Sequence, residues 1–184
     1  MIVDGSDAWL MAESGNSFCW STHHLRYREP GRYRVSTGFG SMGHATTGVV
    51  GAALARRGKA VALVGDGAMM MMNELHAAVQ HRADALWVVL NDACYLMCAQ
   101  GMRVMGWEPF ACALPRVDFV GLARAIGADG ERATTEAEVG PALERAMAAR
   151  GPWVLDVTID PDEAPPSGRR NKSLMQQGFT PTKA

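Results

Sequence analysis

Cysteine is scarce in this sequence: Cys19, Cys94, Cys98 and Cys112 are too few and too scattered to staple a small secreted domain. No apolar run approaches the roughly 20 residues that a membrane-spanning helix needs. The opening stretch Met1-Ile2-Val3-Asp4-Gly5-Ser6-Asp7 has neither the basic start nor the apolar core of a signal peptide. The expected compartment is therefore a reducing cytoplasm. Charge of one sign is also lacking, since 18 Lys+Arg face 19 Asp+Glu for a net −1. That balance writes in no electrostatic footprint for nucleic acid or a membrane surface. No internal repeat or low-complexity block interrupts the chain beyond the short run Met69-Met70-Met71-Met72, which reads as core filler. What remains is an ordinary globular composition, 48% apolar and 20% charged over 184 residues, enough for one well-packed domain.

Short apolar runs alternate with helical patterns, the signature of an α/β fold with a mainly parallel sheet between helices. Strands are expected at 8–12, 60–64, 85–90 and 152–157. Helices are expected at 45–56, 73–81, 118–126 and 136–149, the last two opened by the capping residues Asp118 and Thr134 or Thr135. The segment Arg32-Tyr33-Arg34-Val35 makes a poor buried strand. From 161 onward periodicity is lost, so the expected division is a folded domain over 1–160 and an extended tail over 161–184.

Ligands in open α/β sheets bind beyond the carboxyl ends of the strands, and these ends are chemically rich here. The first expected strand runs into Glu13-Ser14-Gly15-Asn16-Ser17. Gly38, Gly40 and Gly43 match G-x-G-x-x-G, a weak dinucleotide signal on its own, and a redox enzyme using that turn is one alternative. The pair of motifs Gly65-Asp66-Gly67 and Asn91-Asp92 is more specific. Carboxylates at the tips of two buried strands suit Mg²⁺, which takes a few carboxylates together with phosphate oxygens and water. Gly67 opens a helix whose first N–H groups can face a diphosphate. Cys94 and Cys98 lack further Cys or His at zinc spacing. Glu74, His76 and His81 read as ordinary helix positions, whereas His44 directly follows the glycine turn and His23-His24 follow the first strand end.

These motifs resemble the diphosphate-binding (PP) domain of thiamine diphosphate-dependent enzymes, in the branch of 2-oxo acid decarboxylases and acetolactate synthase-like carboligases. The resemblance covers nearly the whole chain, from about Ala8 to Arg169-Arg170-Asn171. It implies a three-layer α/β sandwich that binds thiamine diphosphate and Mg²⁺. It further implies that Asp66 and Asp92 ligate the metal by side chain and Cys94 by its carbonyl. Gly67 and Ala68 would offer N–H groups to the diphosphate, with Asn16 and Ser17 adding side-chain contacts. The Gly40 carbonyl would accept from the cofactor's 4′-amino group, and Met42 would wedge the cofactor into its V shape, making Gly40 and Met42 the catalytic positions. Ser41 and Tyr95 complete the cofactor-binding set.

Two positions depart from common family patterns: Asp92 stands where many relatives carry Asn, and Cys98 where some decarboxylases carry an acid. In this family the activating glutamate comes from a pyrimidine-binding (Pyr) domain, and nothing in these residues resembles one. The expectation is thus the small subunit of a split enzyme acting on a 2-oxo acid, in a heterotetramer with a Pyr-domain subunit, with Phe18, Trp20 and Tyr95 on the face toward it. A non-catalytic partner subunit is the remaining alternative.

Overall fold

Alternate residues along a strand point to opposite sides, and the apolar runs of this chain are long enough to be buried on both. In the computed structural model, which describes residues 7–27, 29–166 and 176, they form one sheet of six parallel strands in the order β2-β1-β3-β4-β6-β5. The strands are β1 (Trp9–Ala12), β2 (Tyr33–Val35), β3 (Ala60–Gly65), β4 (Ala85–Asn91), β5 (Asp129–Ala133) and β6 (Trp153–Thr158). The helices are α1 (Asn16–His24), α2 (His44–Arg56), α3 (Asp66–Met69), α4 (Leu75–Gln80), α5 (Leu96–Val104), α6 (Phe119–Ile126) and α7 (Glu136–Ala148).

Val64, Trp87 and Val89 face one layer, where they pack with Val49 of α2, Leu75 of α4 and Phe119 of α6. Leu10, Val61, Leu86 and Leu155 face the other, against Ala142 and Ala146 of α7. Each fully buried Leu- or Phe-sized side chain contributes roughly 1.5–3 kcal/mol, so the two clusters fix both register and layering. The α/β sandwich expected from the alternation is the fold observed. Asp118 caps α6, its carboxylate accepting from Gly121 N at 3.1 Å, and Thr135 is the N-cap of α7. No described helix is long and apolar enough to cross a membrane.

Three elements depart from the sequence reading. Tyr33–Val35, too polar for a buried strand, forms the edge strand β2. The opposite edge, β5, is the polar run Asp-Gly-Glu-Arg-Ala, held to its neighbour partly by Arg132, which bonds the buried Asp156 at 2.9 Å and Asp118 at 3.0 Å. Charged residues on an edge also discourage pairing with other chains. Helix α1 has no apolar stripe and is tied down instead by Ser21, which lies 2.9 Å from the Tyr33 hydroxyl. The methionine run is only partly core: Met69 is buried, whereas Met70 and Met71 are exposed. The expected boundary at 160 follows the end of β6, and most of the 161–184 tail, with Arg169-Arg170-Asn171, lies outside the described residues.

At the amino ends of the strands, Lys59 closes the bottom of the sheet. Its Nζ donates to Ala149 O at 2.7 Å and Ala146 O at 3.3 Å, capping the carbonyls that end α7, and pairs with Asp84 at 2.8 Å. Arg150 reaches the same Asp84 at 3.1 Å from solvent. Lys59→Met keeps the alkyl stem but strands two helix-end carbonyls and weakens the pairing of a nearly buried carboxylate. We expect it to destabilise the fold by about 2–3 kcal/mol, lowering Tm by roughly 5–10 °C at this size. A change below about 2 °C in a thermal melt would show that Arg150 alone suffices.

Candidate functional site

Chain order and strand order disagree at two places, β2/β1 and β6/β5, and the first of these frames the site. From β1 the chain goes outward to β2, then crosses back to β3 on the other side of β1. Such a switch point leaves a crevice at the carboxyl ends of the strands. The ends of β1, β3 and β4 lie side by side there, and the loop leaving β2 brings the 40–43 turn over them.

The crevice contains two carboxylates. Asp66, only 5% exposed, accepts from Gly67 N at 2.7 Å and, through its other oxygen, from Cys94 N at 3.2 Å. Asp92 accepts from the same Cys94 N at 2.9 Å, so one N–H is shared between two acids. Burial raises the Asp66 carboxyl above its ordinary range, against the pull of these N–H bonds. Burial, and then the Asp66 charge, push Asp92 up to about 6. Neither acid has an ion-pair partner among the described residues. Burial and the neighbouring Asp92 also push the Cys94 thiol up, which keeps it protonated and leaves the backbone as the useful part of this residue.

The loop carrying Cys94 is held by backbone. Tyr95 N donates to Cys112 O and Leu114 N to Ala93 O, both at 2.8 Å, with Ala93 in the left-handed region at φ 57°. Asn91 does not join the acids. As the last residue of β4 it turns to the neighbouring strand β6, where its Nδ2 donates to Asp156 Oδ1 at 2.9 Å.

A pair of carboxylates with one shared donor and no ion pair, only the more distant Arg116 charge favouring ionised Asp92, is a poor arrangement by itself and a good one around a hard divalent ion. Among the described residues no third Asp, Glu, His or Cys converges on them. Two carboxylates could fill only part of a coordination shell, an arrangement that suits Mg²⁺ held together with a phosphorylated ligand.

Close approach at Gly67 is enforced by packing. A Cβ there would sit 2.5 Å from Tyr95 Cε1 and 3.8 Å from Met42 Sδ. Tyr95 and Met42 therefore both border the space over the start of α3. Met42 is 45% exposed, and with Ser41, His44, Met71, Asn73 and Glu74 it lines a cleft of about 410 Å³.

The turn that carries Met42 is gripped from β1. Glu13, fully buried, accepts through Oε1 from Gly43 N (3.0 Å), Ala45 N (2.9 Å), Thr46 N (3.0 Å) and Thr46 Oγ1 (3.1 Å). Ser14 Oγ donates to Gly40 O at 2.7 Å. Thr46 lies between three elements, its hydroxyl also 3.2 Å from Ala68 O and its carbonyl accepting from Trp87 Nε1 at 2.8 Å.

The structure brings Gly40, Ser41, Met42, Asp66, Gly67, Ala68, Asp92, Cys94 and Tyr95 to this one edge. Asn16 is there too, its amide donating to Gln100 Oε1 of α5 at 3.0 Å. Ser17 is buried and its hydroxyl donates to Glu13 O at 3.1 Å, so it faces the backbone of the strand end. The Gly67 N–H is already taken by Asp66. Phe18, Trp20 and Tyr95 are half-buried, and the exposed apolar residues include Phe39, Met42, Met70 and Met71, with Trp107 and Phe110 after α5. Thr46 and Gln100 have no counterpart in the sequence reading, whereas Glu13 and Ser14 stood in the strand end singled out there but with no role assigned to them.

A six-stranded parallel sheet with two converging acids at its switch point defines an α/β domain with an acidic crevice at its strand ends. The profile of the thiamine pyrophosphate enzyme C-terminal TPP binding domain matches residues 13–157, and the chain belongs to this family. A Mycobacterium tuberculosis protein with a provisional acetolactate synthase large-subunit name is 36% identical over 160 residues, 85% of this chain and 29% of that protein. Benzoylformate decarboxylase of Pseudomonas aeruginosa is 31% identical over 162 residues, 84% of this chain and 30% of its own length. The solved thiamine diphosphate-dependent 4-hydroxybenzoylformate decarboxylase of Rhodococcus jostii RHA1 superposes with a TM-score of 0.79 at 25% identity, over 86% of this chain and 31% of that one. The chain thus spans less than a third of each of these relatives. Family membership replaces the dinucleotide alternative.

Proposed function

We propose that this chain is the PP-domain component of a thiamine diphosphate- and Mg²⁺-dependent 2-oxo acid decarboxylase or carboligase, working in the cytoplasm with a Pyr domain on a separate subunit. The observation that carries the reading is the pair Asp66 and Asp92, drawn together on one N–H with no ion pair to either among the described residues. Their carboxylates and the Cys94 carbonyl are the protein ligands for Mg²⁺. Asn16, Ser41 and the Ala68 N–H serve the diphosphate side, while Ser17 supports the turn beneath them. Bound there, thiamine diphosphate supplies a carbanion for addition to the 2-oxo acid and an electron sink for loss of CO₂. The chain's own task is to anchor, shape and keep dry. Gly40 presents its carbonyl to the cofactor's amino group, and Met42 and Tyr95 set the shape of the space above Gly67.

A Pyr-domain partner is favoured by the apolar side chains left uncovered beside this edge, Phe39 at 92% exposure foremost. A heterotetramer of two PP and two Pyr chains follows the usual preference for closed symmetry. Calorimetry tests the reading: the chain with its Pyr-domain partner should take up thiamine diphosphate with Mg²⁺ and not after chelation. Equal uptake in both would sink the metal clamp. Stable assembly with no uptake at all would favour a purely structural subunit.

Met42 offers a separate check. Met42→Ala should lower kcat about 10–100-fold while cofactor affinity changes less than about threefold, a loss of positioning rather than of anchoring. Leu at this position, similar in bulk, should retain most activity. Equal rates for the Ala and Leu variants would remove the wedge role.

A further inference from the structure

Two consecutive residues just beyond β1 hold the two ends of the 40–43 turn. Ser14 Oγ donates to Gly40 O at 2.7 Å, and Glu13 Oε1 accepts from Gly43 N at 3.0 Å. The turn needs holding, because Gly40 and Gly43 have φ of 73° and 100°, and residues without a side chain leave the intervening peptides free to reorient. Gly40 O receives no other hydrogen bond among the described residues, so the Ser14 hydroxyl alone fixes its direction. Glu13 is anchored far more firmly, by three N–H groups and a hydroxyl at the start of α2, and gives the clamp a rigid base.

We propose that Ser14 is a positioning residue, which aims the Gly40 carbonyl before any ligand arrives while Glu13 pins the other end of the turn. The proposal rests on the reading above in one respect: the ligand it prepares for is the amino group of thiamine diphosphate. A carbonyl oxygen has two lone pairs. Ser14 uses one and leaves the other for the incoming donor, so the bond orients the acceptor without blocking it. Neither family motif nor local sequence pattern marks Ser14 for this role. Only the fold brings it to Gly40, 26 positions away.

Ser14→Ala and Ser14→Thr test this, Thr keeping a hydroxyl at the same place. In the ligand-free chain, hydrogen–deuterium exchange at the Ser41 and Met42 amides should quicken about tenfold in Ser14→Ala, with Tm within about 2 °C of wild type, as suits loss of one part-buried bond. In the complex with the Pyr-domain subunit, kcat should fall about 10–100-fold with the cofactor Kd changed less than about threefold. Thr should restore both exchange and kcat toward wild type. Unaltered exchange and kcat in Ser14→Ala would overturn the proposal. So would equal losses in the Ala and Thr variants, or a fall in Tm and affinity together, which marks a merely structural serine. If the wild type takes up no thiamine diphosphate, the functional reading fails, while the ligand-free exchange comparison still decides whether Ser14 holds the turn.

Discussion

Asp66→Ala is expected to cost this protein its cofactor rather than its speed. The side chain is buried at the end of β3 and is one of two acids available to a cation. Removing it leaves Asp92 as the sole carboxylate, and the negative charges of a diphosphate then lack a properly held counter-ion. Loss of one charged partner from a desolvated pair weakens binding by about 3–4 kcal/mol, roughly 10²–10³-fold in Kd. The free protein should scarcely notice. Its carboxyl is raised by burial, so folding with it ionised is already penalised, and relief of that penalty offsets the lost bonds to Gly67 N and Cys94 N. We expect stability within about 1 kcal/mol of wild type. Calorimetry with thiamine diphosphate and Mg²⁺, set beside a thermal melt, reads both. Unchanged affinity would exclude Asp66 from the metal site, and a collapse of Tm would make it a structural acid instead.

On the proposed split-subunit reading, the chain alone should release CO₂ from 2-oxo acids about 10³-fold or more slowly than a mixture with a Pyr-domain subunit. Two contributions are missing from the isolated chain. One is the partner's proton-transfer group, which in general acid–base catalysis is worth about 10²–10⁴-fold. The other is exclusion of water from an edge where Phe39, Met42, Met70 and Met71 stand open. The measurement is CO₂ release across a panel of 2-oxo acids with thiamine diphosphate and Mg²⁺ present throughout. Turnover by the isolated chain at the rate of the mixture would dispose of the split-subunit reading.

The layered α/β fold was legible because its central strands are apolar on both faces, as in Val61 and Trp87, and no other arrangement buries them so simply. Asp66 and Asp92 were legible for a local reason, each following such a strand directly. Edges were harder. Neither Tyr33–Val35 nor Asp129–Ala133 has the composition of a buried strand, because an edge strand is paired on one side only. Asn91 shows the limit of motif reading. It adjoins Asp92 in sequence, yet strand alternation turns it toward Asp156 and away from the acids. Glu13, Ser14 and Thr46 act through contacts 22 to 41 positions away, and no local periodicity encodes those.

Glu13 also settles what the glycine turn is not. Gly38, Gly40 and Gly43 before α2 spell the motif in which a helix start receives a pyrophosphate. In this protein the N–H groups of Gly43, Ala45 and Thr46 are already occupied by a carboxylate of the same chain, 30 or more positions earlier in sequence. The helix start carries its own acceptor. A phosphate arriving from solution finds those N–H groups taken, which on the proposed reading leaves its negative groups to the neighbouring strand end, where Asp66 and Asp92 could hold a cation. One buried acid thereby silences a dinucleotide motif and directs traffic to the site beside it.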